Sequence, residues 1–283
     1  MKYVEEYKQG DPKTMDGFDA TKQPGVALFK KHSLEPNTID FIGHSMALYL
    51  NDDYLQGVAT PVIERVHLYI DSMGRYGDSP FLYPIYGLGG IPEGFSRLAA
   101  IHGGTYMLRT NADEILMEGG KVTGIRSGTE KAEAPMIICD PSYVLNMPGR
   151  TKKIGQIIRC ICILQHPIPN TKDAHSCQVI IPQKQVGRKS DIYIALVSSA
   201  HAVCPKDFYI AMISTNIETT TPENEIQPAL KLLGPIKEMF VSVSALCSLW
   251  DRLKMCMSLS LMERPMVSSL PRATTLQATS RPQ

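Results

Sequence analysis

"YGLGGIPEGFSRL", residues Tyr86–Leu98, sets three glycines (Gly87, Gly89 and Gly90) directly ahead of an amphipathic run. Its reading decides between a nucleotide-binding α/β fold and something else. A dinucleotide fingerprint needs G-x-G-x-x-G between a buried strand and a helix, with an acid about 20 residues further on. Here Pro92 stands where the third glycine belongs, and a proline-interrupted aromatic loop leads in instead of a strand. No G-K-[ST] follows, so a Walker loop is excluded as well. The favoured reading is a sterically bare entry to a helix starting around Pro92, a residue suited to a first helical turn.

Upstream, "GDSPFLYPIYGLGG" (Gly77–Gly90) carries too much Gly and Pro for a continuous helix and reads as loop. Its "FLYPIY" (Phe81–Tyr86), bracketed by Arg75 and Arg97, either packs on its own core or forms a binding surface of the Tyr- and Arg-rich kind. Before it, helical spacing predicts a helix over Pro36–Asn51, with Ile39, Ile42, Met46 and Leu50 on one face and Asn37 or Thr38 as cap. A second is predicted over about Pro61–Arg75, with Ile63, Val66, Leu68 and Ile70 apolar. "NDD" (Asn51–Asp53) reads as a helix end rather than a metal site. Residues 1–35 are polar and broken, with "VALFKKHSL" giving a helical turn or two.

Beyond Gly104 the period becomes two. "TYMLR", "EILMEGGKVTGIRS" and "EAPMIICD" read as strand, hairpin and strand, with Gly119-Gly120 in the tight turn. "GQIIRCICILQHPI", "SCQVIIPQ", "SDIYIALVSS" and "FYIAMISTN" extend this to a sheet of several strands. Glu223–Phe240 returns to helix, with Ile226, Leu230, Leu233 and Ile236 on one face. The class is therefore α/β (α+β), a helical front followed by a sheet-rich body. The residues after about Ala245 are Ser/Thr- and Met-rich with two acids, and they lack a strand or helix period. A disordered tail over 245–283 is predicted.

The 283 residues, 43% hydrophobic and 20% charged, suit one large or two ordinary globular domains. A net charge of +1 gives no pull toward nucleic acid. No apolar run reaches membrane-helix length, and the amino terminus lacks a signal-type apolar region. Seven scattered cysteines without a C-x-x-C pair suggest a reduced, intracellular setting, and Cys160 and Cys162 should share one sheet face rather than bond. His44, His67 and His102 fall in helical segments and His166, His175 and His201 in loops or strand ends. None is spaced as a helical metal pair, and no carboxylate cluster marks a metal site. With no G-x-S-x-G or marked Cys-His pair, no catalytic residue is assigned, and no cofactor or metal is expected.

Several stretches taken together closely resemble one family. These are "IDFIGHSMALY" (39–49), "NDDYL" (51–55), "RYGDSPFLYPIYGLGGIPEGFSRLAAIHGGTYML" (75–108), "ICDPSYV" (138–144), "AHSCQVIIPQKQVGRKSDIYIALVSSAH" (174–201) and "PALKLLGPI" (228–236). They resemble the Rab GDP-dissociation inhibitors, and among relatives that include the Rab escort proteins the spacing is that of the inhibitor branch. The similarity runs to about Val243.

The resemblance implies a sheet domain like the flavin-monooxygenase fold without its flavin, joined to a helical domain. On that basis residues 1–78 form part of a helical, prenyl-sheltering domain and 79–244 part of a sheet-rich, GTPase-binding domain. It also implies a non-enzymatic regulator that binds GDP-bound, geranylgeranylated Rab GTPases, slows GDP release and retrieves them from membranes into the cytoplasm during vesicle transport. Sheltering an isoprenoid of roughly 20 carbons calls for an apolar slot, since each buried CH₂ is worth about 0.8 kcal/mol. Position by position, Arg97, Thr105 and Met107 match GTPase-platform residues, and Arg75 and Ser79 fall in the family's mobile effector loop. Ile39, Phe41, Ile42 and Leu48 lie on a helix of the lipid-sheltering domain.

Two departures accompany the resemblance. Gly90 stands where the family keeps an acid that contacts the GTPase, and family members carry over a hundred residues ahead of the matched region. The alternatives are a flavin-dependent oxidoreductase of related fold or an inactive truncated fragment.

Overall fold

The computed structural model describes residues 2–73, 75, 80–147 and 151–249. In chain order it contains α1 (Lys2–Glu6), α2 (Pro12–Met15), α3 (Gly25–Lys31), α4 (Pro36–Asp40), a π-helical turn (Phe41–Met46), a 3-10 turn (Asp52–Leu55), α5 (Thr60–Met73) and α6 (Gly90–Ile101). Strands β1 (Glu114–Glu118), β2 (Lys121–Ser127), β3 (Glu130–Glu133), β4 (Thr151–Leu164), β5 (Cys177–Ile181), β6 (Ile192–Ser198) and β7 (Tyr209–Asn216) follow. Helices α7 (Pro222–Glu225) and α8 (Gln227–Leu233) precede the last strand, β8 (Glu238–Leu249). Among the described residues no helix is long and apolar enough to cross a membrane.

The chain divides into two compact units, one of residues 1–88 with 157–243 and the other of 89–156 with the residues from 244 onward. In the first, the helical front has its own core. Val62, Ile63 and Val66 line one face of α5 and meet Phe18, Leu28, Phe29, Met46 and Tyr54. Tyr54 is the hub, stacked on Tyr49 at 4.5 Å and edge-on to Phe29 at 6.2 Å. Gly43 of the π-helical turn lies so close to the Tyr54 ring that a Cβ there would overlap its hydroxyl.

The helix expected over Pro36–Asn51 is interrupted. α4 starts after Glu35, with Pro36 in its first turn, so neither Asn37 nor Thr38 is the cap. The chain then widens into the π-helical turn and ends at Leu48, whose φ is +55°. Asn51 does not end a helix but starts one, its Oδ1 accepting from the Asp53 N–H at 3.2 Å. Of the apolar positions expected in α5, Leu68 is exposed.

Strands β5, β6 and β7 and the parts of β4 and β8 within 157–243 also belong to this unit, in a five-stranded sheet of order β5-β6-β7-β4-β8. The β5/β6, β6/β7 and β4/β7 pairs are antiparallel. Alternation along β4 buries Ile158, Cys160, Cys162 and Leu164 on one face, against Ile226, Ala229 and Leu233 of the α7–α8 segment. The two cysteines share that face as expected, sulfur to sulfur at 3.5 Å and unbonded.

The continuous helix expected over Glu223–Phe240 does not form. Its four apolar positions do pack on the sheet, but Pro228 restarts the helix and Gly234 (φ +79°) with Pro235 stops it. From Glu238 the chain is strand, seeded by the Lys237 N–H donating to the Ile163 carbonyl at 2.9 Å. β8 therefore carries strand structure through Leu249, into the predicted tail; residues 250–283 lie outside the described residues.

In the second unit β1, β2 and β3 form an antiparallel sheet. The β1–β2 hairpin turns on Gly119 and Gly120 at φ +56° and +77°, as their sequence demanded. Two expected strands are absent. "TYMLR" is irregular, with Arg109 left-handed at φ +57°. "EAPMIICD" gives way after Glu133 because Pro135 has no N–H to continue the ladder; β3 lies just upstream instead.

Candidate functional site

The glycine stretch Gly87–Gly90 is preceded by loop and turn, not by a strand. The Tyr86 N–H donates to the His201 carbonyl at 2.9 Å, and the Tyr83 ring meets the His201 ring edge-on at 5.5 Å. Tyr86 (φ +69°) and Gly87 (φ +89°) are consecutive left-handed residues, which turn the chain sharply. Gly89 has entered helical geometry, so α6 begins at Gly90, two residues before the expected Pro92. The glycines thus form a bend into a helix.

Helix α6 presents Arg97 to solvent. It ends where the Gly104 N–H donates to the Ala99 carbonyl at 2.8 Å, and a Cβ at Gly104 would press on that carbonyl. This closure sends Thr105 and Met107 into exposed irregular chain, with Met107 69% accessible. Arg97, Thr105 and Met107 therefore belong to one segment of the second unit, within one helix end and its exit. Arg75 is exposed in the turn after α5, in the first unit. Ser79 lies outside the described residues.

The four residues expected at the lipid-sheltering helix divide. Ile39 and Ile42 are half-buried and pack on the front core. Leu48 is half-buried at the positive-φ exit of the π-helical turn, and Phe41 points outward, 55% exposed.

The structure also assembles a polar cluster that sequence spacing does not display. His44, turned inward by the π-helical turn, places Nδ1 2.7 Å from Asp191 Oδ2 and Nε2 3.2 Å from Asp52 Oδ1. Both ring nitrogens face carboxylates, and only an imidazolium donates from both. Burial works against that charge, but the Asp191 hydrogen bond and charge, followed by those of Asp52, outweigh it and hold the His44 pKa above its ordinary value. Asp52 is also partly desolvated, yet His44 and Lys184 hold its carboxyl below the usual range.

Asp191 Oδ1 accepts from the Gln183 N–H at 2.8 Å, and its Oδ2 accepts from the Tyr193 hydroxyl at 3.3 Å. Lys184 Nζ lies 3.0 Å from Asp40 and 3.2 Å from Asp52. Contrary to the sequence expectation, carboxylates do gather around one histidine, His44. Asp40, His44 and Asp52 bring potential ligand atoms within 4.8 Å of one another, but Lys184 already supplies the cation that the two carboxylates need. The cluster is an internal ion network joining the helical front to the sheet of the same unit. Its Asp191 partner is 147 residues from His44, beyond any local motif.

Comparison with known proteins places this geometry. The family model described as "GDI: GDP dissociation inhibitor" matches residues 1–255. Rab GDP dissociation inhibitor beta from Canis lupus familiaris is 53% identical over 244 residues, which cover 86% of this chain and 54% of that protein. The same protein from Rattus norvegicus matches to the same extent. A solved Rab GDI from Plasmodium falciparum superposes with a TM-score of 0.85 at 49% identity, covering 88% of this chain and 57% of that one. The chain spans about half the length of the relatives it matches, with the mixed helix-and-sheet fold of the solved Rab GDI. On the family match over residues 1–255, the chain belongs to the GDP dissociation inhibitor family.

Proposed function

We propose that this chain acts as a Rab GDP-dissociation inhibitor, a non-enzymatic regulator that binds Rab GTPases in their GDP-bound, geranylgeranylated form. It slows their GDP release and retrieves them from membranes to the cytoplasm in vesicle transport. The observation that carries the reading is the family match over residues 1–255, which favours it over a flavin oxidoreductase. The geometry is compatible with it: Arg97, Thr105 and Met107 are solvent-exposed around one helix end, as a GTPase platform requires. In this reading Arg75 and Ser79 belong to a loop that approaches the partner or its membrane. Residues 1–78 serve as the prenyl-sheltering part, with Ile39, Phe41, Ile42 and Leu48 toward the lipid, and residues 79–244 as the GTPase-binding part.

The test is release of a fluorescent GDP analogue from a prenylated Rab GTPase with and without the purified chain. Slowed release, with prenylated Rab bound more tightly than unprenylated Rab, supports the proposal. Release at the uninhibited rate with a cooperatively folded chain overturns it.

A further inference from the structure

Serine or threonine followed by proline is the step that proline-directed protein kinases recognise. The sequence has three such steps: Thr60-Pro61, Ser79-Pro80 and Thr221-Pro222. Ser79 lies outside the described residues, and the structure separates the other two. Thr60 opens α5, and its hydroxyl oxygen is buried. A kinase could reach it only by unravelling the helix that carries Val62, Ile63 and Val66 into the front core.

Thr221 is exposed, in the irregular connection between β7 and α7. Its side chain makes no capping hydrogen bond to α7. Glu218, Thr219 and Thr220 before it, and Glu223 and Asn224 after it, are exposed as well, so a continuous length of chain is presented. Its backbone is held by the Thr221 N–H donating to Thr219 Oγ1 at 3.3 Å and by its carbonyl accepting from the Asn224 N–H at 3.0 Å. Exposed connections of this kind open locally at little cost.

A charge placed there has a defined neighbourhood. The Thr219 hydroxyl that accepts from Thr221 donates in turn to Glu225 Oε1 at 2.6 Å. Thr221 is thus one hydroxyl away from the buried carboxylate that anchors α7. Arg188 Nη1 lies 2.6 Å from Glu225 Oε2, and its Nη2 lies 3.4 Å from Glu218 Oε1. One guanidinium therefore already serves two carboxylates, and Glu223 adds a third acid in the first turn of α7.

We propose that Thr221 is a phosphoacceptor site for a proline-directed protein kinase, and that its phosphate loosens α7 and α8 from the sheet. The γ-phosphoryl group of ATP passes to Thr221 Oγ1, ADP leaves, and the hydroxyl proton goes to the catalytic base of the kinase. The phosphate brings a charge of about −1.5 to −2, and beside Glu218, Glu223 and Glu225 that charge is repelled. The helices it strains are those whose Ile226, Ala229 and Leu233 cover Cys160 and Cys162 of β4.

The experiment incubates the full chain with magnesium, ATP and a proline-directed kinase of the mitogen-activated class. Mass spectrometry maps the phosphate, and hydrogen exchange over Pro222–Leu233 is read before and after. The expected result is phosphate on Thr221 and none on Thr60. Exchange over Pro222–Leu233 should quicken by about twofold or more, the scale of an exposed charge interaction. The acceleration should shrink at high salt. The Thr221→Val chain, treated identically, should show neither change in this segment, and its unfolding midpoint should move little because the position is exposed. A native chain left without phosphate on Thr221, or modified equally on Thr60, would overturn the site. Exchange that is unchanged or slowed in the phosphorylated chain would overturn the loosening.

Discussion

His44 Nδ1 and Asp191 Oδ2 stand 2.7 Å apart with both side chains almost wholly shielded from solvent, and this pair ties the helical front to the residue that leads into β6. Removing one partner strands the other charge in a poorly solvated site. His44→Ala and Asp191→Ala are each expected to lower unfolding free energy by about 3–5 kcal/mol. Urea unfolding followed by circular dichroism checks this, and a loss under 1 kcal/mol would contradict it.

The same pair sets a pH dependence. The folded pKa of His44 is raised, so its contribution is fully present below the ordinary value of 6.5 and is lost as pH rises through the folded value. Asp52 is shifted the other way, so its contribution is present above its ordinary 3.8 and lost as pH falls through the folded value. Stability should therefore decline on the alkaline side through the loss of the His44 proton, and His44→Gln should flatten that limb. Denaturation midpoints across pH 5–9 read the effect, and a ring-proton NMR titration of His44 assigns it.

Two helical glycines should respond oppositely to alanine. At Gly43 the new methyl collides with the Tyr54 ring, and a collision of that kind in a packed core costs about 1–3 kcal/mol. At Gly94 it meets open space, and the gain in helix propensity should add up to about 1 kcal/mol. Thermal unfolding of the two single variants is sufficient; a Gly43→Ala variant no less stable than the parent would refute the packing at Tyr54, and a destabilised Gly94→Ala would refute the open space at α6.

Cys160 and Cys162 are sealed beneath α8, and burial raises both thiols, that of Cys162 to about 12. Neither should form appreciable thiolate near neutral pH. A disulfide reagent added to native protein is expected to leave both unmodified, with labelling appearing only at the rate of unfolding. Mass-spectrometric mapping distinguishes them from the more accessible cysteines.

Arg97→Glu reverses a charge that meets solvent, not core. Under the proposed function it should weaken Rab association by about tenfold or more while moving the unfolding midpoint little, within the usual range for surface changes. Titration of a prenylated, GDP-loaded Rab measures it. Unchanged affinity would remove Arg97 from the contact surface.

Periodicity revealed much of the fold. The alternation in β4–β7, the Gly119-Gly120 hairpin and the apolar face of α5 were all readable because local backbone geometry sets their spacing. The apolar positions Ile226, Leu230, Leu233 and Ile236 were also correctly chosen, although Pro228 and Gly234 divide what looked like one helix. "TYMLR" misled because a strand-like pattern becomes a strand only where a partner edge lies alongside it. The His44 cluster was illegible for a different reason. A π-helical turn rotates the histidine inward, and its acid Asp191 comes from the entry to a strand over a hundred residues later.

The first unit is assembled from two stretches of chain, residues 1–88 and 157–243, with 89–156 emerging between them. During synthesis the helical front therefore leaves the ribosome with only Asp52 available to His44, and the Nδ1 partner is missing until Asp191 has been made. The same arrangement means that a protease cut within 89–156 would leave that unit as two peptides joined only by non-covalent contacts, among them the ion network and the Tyr86–His201 hydrogen bond. Its cohesion would then depend on dilution and alkalinity, like that of a complex rather than a single chain.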